Sequence, residues 1–370
     1  MNIDIINLKI NQKCFFCNNL QNTLKLKIHS APLVLGCTTQ PENKDKLISY
    51  NVIQCNVCGL IFTDIILDSE AYSQIHSEAM GKIWKEHHKS FSEFVNLKNK
   101  YSGKGLEIGP SNNPILRKNT IFVDMFKEAP FNLFSDETYV KGQFPDITLN
   151  KKFKIIVASH VFEHSTNPEQ FLNKCKDILD DDGNICLSIP NFEIWINQKY
   201  WNGITAEHQI YPTKSQIKKI CKKLNLNPIF ENFQDHSVFI RIVKGTLVED
   251  DEEYNIDVDG WAIAIKSSIK NVEKILSEYQ IEDLYIPGAS HLSQYPIMIS
   301  NIIKTKTKFV LDNSTSKHEK RLYGTSTICK PFEIIKKNLE PYVVLFNSPY
   351  RNEMYDQIKI INNKAHIIYG

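Results

Sequence analysis

Between about residues 81 and 245 the chain alternates short apolar runs with amphipathic segments, and this alternation limits the possible folds more than any other feature. The runs are KGLEIG (104–109), TIFVDMF (120–126), KIIVASHV (154–161), GNICLSIP (183–190) and HSVFIRIVK (236–244). They are too short for helices and rich in β-branched and aromatic residues, as strands buried on both faces are. Between two of them, NPEQFLNKCKDIL reads as a helix, with Asn167 as its N-cap and Pro168 at its first position. Strands alternating with helices predict a doubly wound α/β domain.

Such a sheet holds its ligand in the crevice outside the carboxyl ends of its strands. The first run ends in Glu107-Ile108-Gly109-Pro110-Ser111-Asn112-Asn113-Pro114, and Asp124 stands near the end of the second. Gly109 lets a ligand approach the backbone, and Asp124 can accept hydrogen bonds from both hydroxyls of a ribose. A nicotinamide dinucleotide would call for three spaced glycines around its pyrophosphate, and neither this turn nor the later YIPGAS around Gly288 has them. A nucleoside cofactor without a pyrophosphate fits better.

Four of the nine cysteines form two Cys-x-x-Cys pairs, Cys14 with Cys17 and Cys55 with Cys58. Two such knuckles can complete a tetrahedral thiolate cage for Zn2+, and four protein ligands leave no coordination position for a substrate. The expected role of the zinc is therefore structural. Cys37, Cys175, Cys186, Cys221 and Cys329 stand alone in the sequence and read as small core residues.

At 370 residues the chain is long enough for two or three domains. With 44 Lys and Arg against 42 Asp and Glu, it has no basic excess to suggest nucleic acid. Neither a secretory leader nor a long apolar span is visible, so a soluble, cytoplasmic protein that does not engage a membrane is expected.

The segments LEIGPSNNP and VASHVFEHSTNPEQFLNKCKDILDDDGNICLSIPN, in this order and at this separation, resemble the class I S-adenosylmethionine methyltransferases. The resemblance implies that Glu107 and Gly109, with Pro110 in the same turn, hold the amino-acid portion of S-adenosyl-L-methionine. It places Asp124 at the ribose, and Ser159 and His160 beside the adenine and sulfonium. His160, Glu163 and His164 are close enough in sequence to raise the question of a metal, but no partner follows at metal spacing, so they read as cofactor contacts.

The order of parts is similar to that of the sugar C-methyltransferases: a zinc-binding module (1–80), a cofactor domain (81–245) and a Rossmann-like C-terminal domain for the substrate (246–370). LYIPGAS, FVLDNSTSKHEKRLYGTSTICKP and YVVLFNSP follow in the corresponding order. That family implies a nucleotide-linked keto deoxy sugar as substrate and a Tyr-His-Glu-His segment that removes a proton. Here Glu207 and His208 match the segment, whereas Thr205 and Ala206 replace its first two members. His208 is the expected base and Glu207 its partner. Tyr211 and His236 are secondary catalytic candidates, and Arg241 falls in a partly kept second segment. Trp195, Tyr200 and Trp201 are candidate walls for the acceptor.

Transfer to oxygen or nitrogen of another saccharide or small metabolite remains open, as does a non-catalytic binding module. A monomer or a homodimer is expected.

Overall fold

The computed structural model describes residues 9–10, 12–67, 81–96, 104–126, 128–246 and 256–370. Its centre is a seven-stranded sheet of β1 (Gly105–Ile108), β2 (Thr120–Asp124), β3 (Thr138–Lys141), β4 (Phe153–Ser159), β5 (Leu179–Pro190), β6 (Leu226–Phe233) and β7 (Ser237–Lys244). Their order is β6-β7-β5-β4-β1-β2-β3. Strands β1 to β5 run parallel, and β7 lies antiparallel between β5 and β6. The order reverses between β1 and β4, which opens a crevice at their carboxyl ends.

The five apolar runs predicted as strands fall on β1, β2, β4, β5 and β7. Strands β3 and β6 went unread. TYVK in β3 carries two exposed and two half-buried residues, and LNPIFENF in β6 contains a proline and mixes buried with exposed positions, so neither forms an apolar run. Helix α1 (Lys82–Asn96) packs on β7, α2 (Pro168–Ile178) connects β4 to β5, and α3 (Lys214–Lys223) precedes β6. Asn167 caps α2 as expected, its side-chain oxygen accepting the Gln170 amide at 3.0 Å. A reciprocal capping box between Thr213 and Gln216 starts α3.

The C-terminal part begins with the long α4 (Val258–Glu278) and forms a second sheet. This contains β8 (Leu284–Pro287), β9 (Thr307–Leu311), β10 (Arg321–Leu322), β11 (Ile328–Lys330), β12 (Tyr342–Leu345) and β13 (His366–Tyr369). The order β13-β12-β8-β9-β11-β10 puts its reversal point between β8 and β12, the Rossmann-like arrangement anticipated. Helix α5 (His291–Ile299) follows β8, and α6 (Arg351–Ile361) follows β12.

The N-terminal segment does not close on itself. Strands Asn22–Pro32, Leu47–Cys55 and Ile61–Thr63 form an antiparallel sheet completed by Ile210–Tyr211 from the central part. Cys37–Thr38 extends the C-terminal sheet beside β10, and Arg321 grips the Asp45 carboxylate with two nitrogens at 2.6 and 2.8 Å. The buried Gln294 donates to the carbonyls of Val34 and Tyr323. So short a segment buries too little apolar surface alone, and it shares its core with both neighbours. Cys37 and Cys329, solitary in the sequence, lie close enough across this junction to shift each other's thiol, Cys37 downward and Cys329 upward.

Candidate functional site

The turn after β1 is built for close approach. Gly109 has φ of 64°, and a Cβ there would stand 2.6 Å from Val161 Cγ2, so only glycine fits without a shift. Its amide donates to the Val123 carbonyl at 2.9 Å, and Pro110 is buried behind it. No helix forms between Gly109 and Thr120. Glu107 instead organises the loop: its two oxygens accept the amides of Ile115 at 3.0 Å and Leu116 at 2.8 Å. Burial pushes this carboxyl up to about 7, against the pull of those two amides. Glu107 is thus a residue that positions the turn.

Asp124 ends β2 beside it. Its Oδ1 accepts the Met125 amide at 2.6 Å, and burial raises the carboxyl to about 6. Ser159 ends β4 opposite Ser188 of β5. The next residue, His160, has φ of 53°, unusual for a side chain with a Cβ, and its amide donates to the Ser188 carbonyl at 2.8 Å. Its ring lies with Nε2 3.2 Å from Ser237 Oγ and Nδ1 3.2 Å from a Glu163 oxygen, against Trp84.

A cavity of about 300 Å³ opens from His160 toward the C-terminal sheet. Glu163, His164, Glu207 and His208 line its central side, and Gly288, His291, Asp312 and Lys317 its other side. The carboxyl ends of the two sheets therefore face one space. The Thr205–Tyr211 segment is clamped there from both directions, since Gln209 donates its amide to the Glu163 carbonyl at 2.9 Å and Thr63 Oγ1 donates to the His208 carbonyl at 3.1 Å.

His208 is only 7% exposed, and burial holds its pKa well below the usual value, so the ring is neutral at pH 7. Its Nε2 lies 3.8 Å from Glu207 Oε1, and its Nδ1 is buried without a hydrogen-bond partner. Burial raises the Glu207 carboxyl. His164 donates Nδ1–H to the Glu207 carbonyl at 2.7 Å.

The other candidates separate. Tyr211 is buried, and its hydroxyl accepts the Thr205 amide and donates to the Thr205 carbonyl, away from the cavity. His236 is fully buried between Ser237 Oγ (2.6 Å) and the Tyr350 hydroxyl (2.8 Å), and borders a second, polar opening with Tyr200. Arg241 donates to the Phe94 carbonyl at 2.7 Å, a structural contact. Trp195 lines the cavity, whereas Trp201 belongs to the C-terminal core. Sequence reasoning missed Trp84 and His87, three residues apart on α1 and packed against His160; their spacing on an amphipathic helix was the available signal.

In the N-terminal segment, Cys14 Sγ and Cys58 Sγ are 3.4 Å apart, and Cys17 Sγ and Cys55 Sγ 3.5 Å. All four sulfurs lie within 4.8 Å of one another. The amides of Phe16 and Val57 donate to the sulfurs of Cys14 and Cys55, each at 3.4 Å. Four soft donors converging with amide support fit a tetrahedral thiolate-bound ion.

Residues 82–230 match the family described as "Methyltransferase domain". No curated protein matches the chain. Solved structures similar to it include a 1,6-didemethyltoxoflavin N1-methyltransferase from Burkholderia thailandensis (9% identity, 44% of this chain and 81% of that one, TM-score 0.35). An S-adenosylmethionine-dependent methyltransferase from Clostridium acetobutylicum (12%, 45% and 93%, 0.34) and the N-methyltransferase NodS from Bradyrhizobium japonicum (12%, 44% and 97%, 0.33) are others. The family match falls on the central part, over less than half of the chain, and spans most of the seven-stranded sheet described above. Among the described residues no helix is long and apolar enough to cross a membrane.

Proposed function

We propose that the chain transfers the methyl group of S-adenosyl-L-methionine to a small saccharide-type acceptor, a nucleotide-linked keto deoxy sugar, held in the cavity between the two sheets. The observation that carries this reading is the closeness of the two strand ends: Gly109 packs against Val161, the residue after His160, and His160 lines the cavity in which Glu207 and His208 stand. The residues that would hold the cofactor stand at the carboxyl ends of β1, β2 and β4: Asp124 would take its ribose hydroxyls, the turn framed by Gly109 and Pro110 its amino-acid portion, and Ser159 and His160 would stand beside its adenine and sulfonium.

The cofactor supplies an already activated methyl group, so the protein's task is alignment and removal of one proton. His208 accepts that proton. Its burial keeps it neutral, its Nδ1 has no other partner, and Glu207 beside Nε2 stabilises the ring once charged. With a ketone beside the target carbon, loss of the C–H proton to His208 leaves an enolate whose attack on the methyl would form the C–C bond as the C–S bond breaks, releasing S-adenosylhomocysteine as the neutral leaving group. The C-terminal sheet closes the cavity over the nucleotide-bearing end of the acceptor. Cys14, Cys17, Cys55 and Cys58 hold one Zn2+ that fastens the N-terminal strands, with no part in the chemistry.

Incubation with methyl-labelled cofactor and a panel of keto sugar nucleotides tests the reading. Label on carbon together with cofactor-independent exchange of the adjacent C–H with deuterated water is expected. Label on oxygen or nitrogen without exchange would move the acceptor to a heteroatom, and absence of label on every sugar would overturn the substrate class.

A further inference from the structure

The cavity wall carries a polar group that the proposed transferase chemistry leaves unexplained. Glu163 is completely buried, and both its oxygens lack a hydrogen-bond partner. The nearest donor, His160 Nδ1, is 3.2 Å away but not aligned for a hydrogen bond. A buried carboxylate left so is costly unless a cation or a proton compensates it. His164 and His208 supply nitrogens at the same place: one ligand atom each from Glu163, His164 and His208 lies within 4.8 Å of the others.

The tautomer of His164 is settled by its neighbour. Because Nδ1–H donates to the Glu207 carbonyl, the lone pair is on Nε2, the carbonyl-supported form in which histidine usually binds a metal. On His208 the nitrogen without a partner is Nδ1. A second cluster, His87, His160 and His236, is as compact, but it has no carboxylate, and both nitrogens of His236 are already hydrogen-bonded, to Ser237 and Tyr350. In sequence, Glu163 and His164 lacked a third partner. The fold brings them His208, which stands 44 residues after His164.

We propose that Glu163, His164 and His208 form a binding site for one borderline divalent ion of the Zn2+ or Co2+ type, and that an ion there occupies the His208 lone pair needed for proton acceptance. Two imidazoles and one carboxylate are a donor set suited to such ions. With bonds of ~2.0–2.2 Å a tetrahedral ion spaces its ligand atoms roughly 3.4 Å apart, so the three side chains close on it by about 1 Å through χ rotation. The remaining coordination positions face the cavity that also holds the acceptor. Ion-bound and proton-accepting forms of His208 exclude each other, which makes the ion an inhibitor.

The test uses the full chain with Zn2+ and Co2+ as probes, counting bound metal by mass spectrometry after dialysis. Wild type should hold one more equivalent than Glu163→Gln or His164→Gln, and turnover should fall as that equivalent fills. Bound as Co2+, the extra equivalent should add ligand-field absorption without the intense sulfur charge-transfer bands of the four-cysteine site, and a near-ultraviolet dichroism spectrum like that of wild type shows each variant to be folded. Equal metal counts in wild type and both folded variants would overturn the site. An extra equivalent that leaves turnover unchanged or raises it would overturn the competition for His208. The metal count is independent of the transferase reading, so failure of either is separately visible.

Discussion

The two doubly wound sheets share a topology at their reversal points, yet the carboxylates at their strand ends are held differently. At the end of β2, Asp124 accepts the Met125 amide, and burial lifts its carboxyl to about 6. After β9, Asp312 stands at the corresponding place, but it accepts the amides of Ala289 and Ser314 and pairs with Lys317 Nζ at 3.0 Å. One carboxylate is held by neighbouring backbone amides; the other by two amides and a cation. The turns differ too. Gly288 at φ 87° leads into α5, while the turn at Gly109 has no helix behind it and depends on the side chain of Glu107. A shared topology places a crevice, and the side chains decide whether it binds.

The largest effect should separate the two walls of the cavity. His208→Ala is expected to lower kcat about a hundred to ten thousandfold, as loss of a general base does, while cofactor affinity by calorimetry stays near wild type. His291→Ala, on the opposite wall, should act on KM for the acceptor. Wild-type turnover in His208→Ala would leave that residue structural.

The glycines provide a smaller contrast. Both have positive φ, but an added Cβ would meet Val161 at 2.6 Å from Gly109 and Leu292 at 3.2 Å from Gly288. Gly109→Ala should therefore cost about 1–3 kcal/mol in stability from backbone strain and contact, with weaker cofactor binding. Gly288→Ala should cost less and leave the cofactor unaffected. Urea denaturation and calorimetry read both, and equal losses would mean that the two turns are equivalent.

A smaller effect lies in acid stability. His87 is buried on α1, and burial followed by the neighbouring His160 and His236 holds its pKa far below the usual value. The unfolded chain protonates this imidazole below about pH 6.5 and the native state does not, so native stability falls as pH drops, by about 1.4 kcal/mol per pH unit for one such group. Glu107 and Asp124, raised to about 7 and about 6, act in the opposite direction, so the difference between proteins is the cleaner quantity. Between pH 6 and 5, His87→Gln should lose less stability than wild type by about that amount. Parallel curves would mean that His87 titrates normally in the native state.

Much of the central domain was legible because strands buried on both faces leave continuous apolar runs, as in FKIIVAS of β4 and in the second half of β5. Exposed β3 and proline-bearing β6 leave none. Gly109 and Asp124 could be read from their places after strands. The roles of Glu107, as a loop anchor, and of Tyr211, as a brace for Thr205, depend on which backbone groups lie nearby, and no spacing encodes that. Long-range convergence was equally hidden. Cys37 beside Cys329 and His208 beside Glu163 are products of packing between distant segments.

Calorimetric titration with S-adenosylhomocysteine tests the central claim most directly, on wild type, Asp124→Ala and Asp312→Ala. The account predicts binding to wild type and a loss of about 1.5–3 kcal/mol, roughly tenfold or more in Kd, in Asp124→Ala, where hydrogen bonds to a charged group are removed. Asp312→Ala should bind as wild type does. An unchanged Kd in Asp124→Ala, or a loss confined to Asp312→Ala, would contradict the placement of the cofactor in the central crevice.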